Sequence, residues 1–130
     1  MLVLDASLVV PDCAAGRGFD YLGDDELTAP PFMWVEARSV LHDAAWRGEV
    51  DPVTARTAHD HLLAAPIEPK APARLGREAW RIADELGWAR TYDAEYVALA
   101  SVLGCRLVTL EGRLWRRTRG LGFVVSPAEL

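Results

Sequence analysis

The chain has 130 residues, of which 51% are hydrophobic and 25% charged, with a formal net charge of −5. Such a length and balance suit one soluble domain spanning residues 1–130, and the acidic charge excludes a protein that merely coats nucleic acid, although a local basic patch can still guide phosphates. No apolar run approaches the ~20 residues of a membrane span, acids at Asp5 and Asp12 interrupt any N-terminal signal sequence, and two cysteines are too few for a disulfide framework, so a cytoplasmic protein is expected.

The chain opens with Leu2-Val3-Leu4, an apolar run with the character of a buried strand, ending in Asp5. Leu8 to Ala15 reads as a short helix disturbed by Pro11, and Phe19 to Leu22 as a further helical turn before Gly23. Leu27-Thr28-Ala29 is a short strand. Pro30-Pro31 opens a helix with Met33, Ala37, Val40, Leu41 and Ala44 at helical spacing and Gly48 as its stop. Asp51 caps a helix lined by Val53, Ala58, His61, Leu62 and Ala65, which Pro66 ends, and Ile67-Glu68 is a weak strand. Pro72 begins a helix with Leu75, Ala79, Ile82, Ala83 and Leu86 as its stripe and Gly87 as its stop. Thr91 caps a helix from Tyr92 to Leu103 that is apolar on almost every side, which predicts deep packing. A second buried strand covers 106–110, Glu111-Gly112 breaks it, a short basic segment follows, and 122–125 forms a last strand. Strands alternating with helices predict a parallel sheet covered on both faces, with right-handed crossovers.

The residue types narrow the chemistry. Asn and Gln are absent, and Lys70 is the sole lysine against thirteen arginines. Catalysis must therefore run on carboxylates, hydroxyls, arginines and three histidines. His59 and His61 stand two apart, which splits them across a helix, so no zinc site is expected. Cys13 and Cys105 read as small buried apolar residues.

Four acids stand out by position: Asp5 at the end of the first strand, Glu36 one turn into the Pro-Pro helix, Asp93 in the first turn of the apolar helix, and Glu111 after the next strand. Strand ends and helix starts share one edge of a parallel α/β sheet, where ligands bind. Each acid also fits a plainer role: Asp5 as a helix cap, Glu36 as a surface acid paired with Arg38 or Arg47, Asp93 as a partner of the helix dipole, and Glu111 as a turn residue. The remaining acids Asp12, Asp20, Asp43, Asp84 and Glu95 read as solvated. A cluster of unpaired carboxylates is self-repulsive, and a hard divalent cation, Mg²⁺ or Mn²⁺, relieves it. A cation so held polarises water for attack on a phosphodiester. Ser7 and Thr109, each two residues from an acid, are candidates to orient water or a phosphate oxygen, or else to bond local turn backbone. Arg113, Arg116, Arg117 and Arg119 are candidates to grip a phosphate backbone, or else form a solvated helix face.

The segments LVLDAS, APPFMWVEARSVL, YDAEYVALASVLGCRLVTLEGRL and GFVV, in this order, resemble the PIN-domain family, and in particular the VapC-type toxins of toxin–antitoxin pairs. The resemblance spans nearly the whole chain. It implies a PIN-like three-layer α/β/α domain with a central, mostly parallel sheet of four to five strands. It also implies a Mg²⁺- or Mn²⁺-dependent endoribonuclease restrained by a small VapB-like antitoxin. The family's acidic positions carry over to Asp5, Glu36, Asp93 and Glu111, all as catalytic and metal-binding candidates, and Ser7 matches the Thr or Ser after the first Asp. Two positions depart from the pattern. Ser39 stands where the family often has Asn. Glu111 stands where it has Asp, so one more methylene must fold back to reach the same point.

Two other readings compete. An Asp-nucleophile phosphatase or phospho-acceptor needs a second acid beside the first and a lysine at a strand end, and the chain offers neither. A catalytically weak module that acts mainly by binding a protein partner is motivated by Ser39 and Glu111. Of the five tryptophans, Trp34, Trp46, Trp80, Trp88 and Trp115, most are expected in the core, with the rest free to form a homodimer face or an antitoxin groove.

Overall fold

The computed structural model describes every residue, Met1–Leu130. Five strands, β1 (Leu2–Leu4), β2 (Leu27–Ala29), β3 (Ile67–Pro69), β4 (Arg106–Val108) and β5 (Val124–Val125), form one sheet in the order β3-β2-β1-β4-β5. Every pairing is parallel. Six helices accompany them: α1 (Ala6–Ala15), α2 (Phe32–Trp46), α3 (Pro52–Ala64), α4 (Leu75–Leu86), α5 (Tyr92–Leu103) and α6 (Gly112–Arg117). The architecture is a three-layer α/β/α sandwich, as the alternation of strands and helices predicts.

The connectivity explains the layers. From β1 the chain steps outwards to β2 and β3, then returns across the sheet to β4 and on to β5. Right-handed crossovers running in opposite directions put their helices on opposite faces. Accordingly α1, α2 and α3 pack on one another, while α4 packs on α5 and α5 rests on β1 and β4. The core is one cluster of 28 buried residues, with β1 buried along its whole length and Tyr96 through Ala100 of α5 forming its centre. The direction of winding reverses between β1 and β4. Such a switch point leaves a crevice beyond the carboxyl ends of the two strands.

Several elements differ in detail from expectation. α1 begins at Ala6 and continues through Pro11. Proline removes one backbone donor, and the buried Leu8, Val9 and Cys13 keep the helix anchored on the core. α4 begins at Leu75 because Pro72 to Arg74 form a turn, closed by the Leu75 N–H on the Pro72 carbonyl. β4 stops at Val108: Thr109 still donates its N–H to Val125, but the Leu110 N–H turns away to the hydroxyl of Ser7. Thr91 occupies the cap position of α5 without a side-chain cap bond. On α3 the buried face is Ala55, Ala58 and Leu62, whereas Val53 and His61 are exposed.

The tryptophans are the largest correction. None of the five is buried: Trp34, Trp88 and Trp115 are half-buried, and Trp46 and Trp80 are 84% and 69% exposed. Asp12 is also misjudged as solvated. It is 3% exposed, accepts the Tyr21 hydroxyl at 2.6 Å and pairs with Arg17 at 3.0 Å, tying the turn after α1 back onto that helix. Glu95 is half-buried, and that burial raises its pKa. Both cysteines are free, Cys13 buried and Cys105 only partly so. His61 bonds the Cys13 carbonyl and His59 takes a bond from Arg38, so both serve structure. No helix is long and apolar enough to cross a membrane.

Candidate active site

β1 delivers Asp5 to the crevice, and β4, paired with it in the register Leu4–Val108, delivers Thr109 alongside. Asp5 occupies the cap position of α1, yet its side chain makes no cap bond. The carboxylate instead takes the Ser7 hydroxyl on Oδ1 at 2.7 Å and the Thr109 hydroxyl on Oδ2 at 2.6 Å. Each hydroxyl has an acceptor position occupied by a backbone N–H, Leu110 on Ser7 and Glu111 on Thr109. Those donors leave the hydroxyl protons aimed at Asp5. Ser7 and Thr109 thus hold the acid itself, a role distinct from orienting water or phosphate. Asp5 is only 4% exposed, and burial pushes its pKa up to about 6 against the pull of the two hydroxyls.

Glu36 rises from α2 into the same space. It is half-buried and accepts the Tyr96 hydroxyl on Oε1 at 2.5 Å, with neither Arg38 nor Arg47 as partner. Burial raises its pKa, the Tyr96 bond opposes this, and Asp93 adds repulsion. Tyr96 is 1% exposed, and burial together with Glu36 keeps its phenol firmly protonated. Sequence reasoning missed Tyr96 because its place on an all-apolar helix reads as core. The available signal is its spacing: it follows Asp93 by three residues, which puts both on one helix face.

Asp93 lies in the first turn of α5 and is half-buried; burial and the nearby Glu111 raise its pKa, while Arg117 and Arg113 pull the other way. Glu111 is the N-cap of α6, its Oε2 accepting the Leu114 N–H at 3.0 Å. The turn role weighed for Glu111 is therefore present, in the specific form of a cap.

All four acids line one pocket of about 380 Å³ together with Ser7 and Tyr96. None of the four takes part in a salt bridge. The donor set, all carboxylate and hydroxyl oxygen, has the chemistry of a hard divalent cation site. No three of the acids converge closely enough to hold one ion in the present side-chain positions. Two contacts account for the spacing: Glu36 is drawn to Tyr96, and Glu111 to the start of α6. Mutual repulsion acts in the same direction.

Glu36, Asp93 and Glu111 also border a second cleft, where Arg113 and Arg117 stand beside them. Arg116 lies elsewhere, folded against Gly112 of its own helix, and Arg119 stacks on Trp115. Arg90, which attracts no notice in the sequence, and Trp88, read there only as a core or interface tryptophan, complete that cleft's wall.

No protein-family model matches the chain. No curated protein matches it either. Among solved structures, the crystal structure of PAE2754 from Pyrobaculum aerophilum is similar, with a TM-score of 0.72 and 26% sequence identity over 98% of this chain and 91% of that one. The likeness extends along nearly the whole of both chains and agrees with the three-layer fold.

Proposed function

We propose that this chain is a Mg²⁺- or Mn²⁺-dependent endoribonuclease that acts in the cytoplasm as the toxin of a VapBC-type toxin–antitoxin pair. One observation carries the reading: Asp5, Glu36, Asp93 and Glu111 line a single pocket at the switch point of the sheet, with no cationic side chain bonded to any of them. The ordered resemblance to PIN-domain toxins supplies the substrate class. Asp5, Asp93 and Glu36 would hold the ion, and Glu111 is the least available because it caps α6. When bound, the ion supplies a polarised water and charge for the leaving oxygen.

The chain's own residues do the rest. Ser7 and Thr109 fix the Asp5 carboxylate in one orientation, so no side-chain freedom is lost when a ligand arrives. Tyr96 holds Glu36 in place, where it would bind the ion or orient its water. Arg113 and Arg117 neutralise a phosphate at the border of the pocket. The test is RNA cleavage by the purified protein with Mn²⁺. Asp5→Asn is expected to abolish it with the fold intact, and equal degradation by both proteins defeats the assignment.

The second reading, a weakly catalytic module working through a protein partner, is favoured by the separation of the acids and by the capping role of Glu111. Absence of Mn²⁺ binding at millimolar concentration, measured by calorimetry, would select it. In either reading the partner is a VapB-like antitoxin that presents an arginine to the acids. The exposed Val35 and Trp46 of α2, which border one surface pocket, supply apolar surface for an antitoxin or for a homodimer.

A further inference from the structure

The second cleft, about 610 Å³, is walled by Trp88, Arg90, Tyr92, Arg113 and Arg117 and shares Glu36, Asp93 and Glu111 with the acid pocket. Tyr92 is 55% exposed although one face of its ring is covered. That face lies flat on Phe32, with centroids 5.3 Å apart and planes 10° from parallel, and Phe32 in turn rests against the buried Tyr96. Tyr92 is thus a braced aromatic platform next to the acids. The Arg117 guanidinium lies 5.0 Å from the centroid of the Trp88 ring, which steadies it within the wall. Arg90, Arg113 and Arg117 form no salt bridge. A flat π surface and unpaired guanidiniums in one cleft match the two ends of a nucleotide, its base and its phosphate.

We propose that this cleft binds one nucleotide of a single-stranded RNA beside the scissile phosphate, its base stacked on Tyr92 and its phosphate held among Arg90, Arg113 and Arg117. The proposal rests on the ribonuclease reading for its substrate class. A base in a duplex is already stacked and paired, so the platform selects unpaired segments. Stacking accepts any base, so Tyr92 contributes affinity and register and little sequence preference.

The test uses the full chain in EDTA, so that binding is read without cleavage. A labelled single-stranded RNA of about eight nucleotides is titrated and followed by fluorescence anisotropy, since single-strand sites span about 4–16 nucleotides. Tyr92→Ala and Tyr92→Leu are each expected to weaken binding about 5- to 150-fold, the range for loss of one base–aromatic stack. Tyr92→Phe stays within about twofold. Leucine keeps apolar cover over Phe32, so loss of binding with an unchanged melting temperature separates stacking from folding. A control strand with abasic riboses binds wild type and both variants equally. Wild-type affinity retained by both variants, equal losses on the abasic strand, or no wild-type binding overturns the subsite. Failure of the ribonuclease reading shows separately, as absence of Mn²⁺-dependent cleavage of an RNA that still binds.

Discussion

Thr109 donates its hydroxyl to Asp5 Oδ2 at 2.6 Å across 104 positions of sequence, joining the ends of β1 and β4 through a buried contact. Ser7 completes the clamp from within α1. The two hydroxyls only partly offset desolvation, because the carboxyl remains well above its ordinary value of 3.8, at about 6. That imbalance has a consequence for stability.

Between those two values the folded chain keeps a proton on Asp5 that the unfolded chain has released. The native state then binds more protons, so stability falls as pH rises. The contribution is fully present below about pH 4 and lost as pH passes about 6, a change of about 3 kcal/mol at ~1.4 kcal/mol per unit. Urea midpoints in EDTA from about pH 4 to about pH 7.5 are expected to decline for the wild type and to flatten in Asp5→Asn. A parallel decline in both proteins would assign the pH dependence to other groups.

Glu111 separates cap from ligand. Glu111→Ala removes the acceptor of the Leu114 N–H and is expected to lower stability by about 1 kcal/mol. Glu111→Asp retains a good capping side chain and stays close to wild type in thermal unfolding. Because this carboxylate is already engaged, Glu111→Ala is expected to reduce Mn²⁺ affinity less than Asp5→Asn or Asp93→Asn does. Calorimetry decides: abolished Mn²⁺ binding with an unchanged melting temperature would make Glu111 a ligand first.

Tyr96→Phe deletes the bond to Glu36 while leaving the ring in its buried place. The expected stability change is about 1 kcal/mol, the net value of a typical hydrogen bond. The larger effect is on Glu36, whose proton affinity rises further once its donor is gone. The pH at which Mn²⁺ binding sets in is therefore expected to move upwards, measured by calorimetry over a series of pH values. An unchanged onset would mean that Glu36 takes no part in binding the ion.

Asp12 carries the prediction furthest from the site. Asp12→Ala removes the acceptor of the hydroxyl of Tyr21, a largely exposed residue, and is expected to cost about 1 kcal/mol in chemical denaturation. Arg17→Ala is expected to change stability far less, because the arginine is largely exposed and water screens the pair. Equal losses in the two variants would place the stabilisation in the ion pair.

The strands and helices were legible because their signals are local. Leu2-Val3-Leu4 is a continuous apolar run, Gly16, Gly87 and Gly104 take the left-handed conformation that ends α1, α4 and α5, and Asp51 caps α3 with its own side chain. The edge at which Asp5, Asp93 and Glu111 gather was legible for the same reason, since strand ends and helix starts share an edge in any parallel sheet. Polar residues were harder to read. Asp12 looks like a surface acid until Tyr21 folds over it, and Trp46 and Trp80 look like core until the helices carrying them turn outwards.

Periodicity, caps and breaks reach only four or five residues along the chain, and they were enough for the alternation of strand and helix and for the positions of the four acids. The long-range partners of Asp5 and Glu36 depended on which elements became neighbours. The return from β3 to β4 brings Thr109 to Asp5, and the packing of α2 near α5 brings Tyr96 to Glu36. Those pairings come from burying apolar faces far apart in sequence, and no local pattern encodes them.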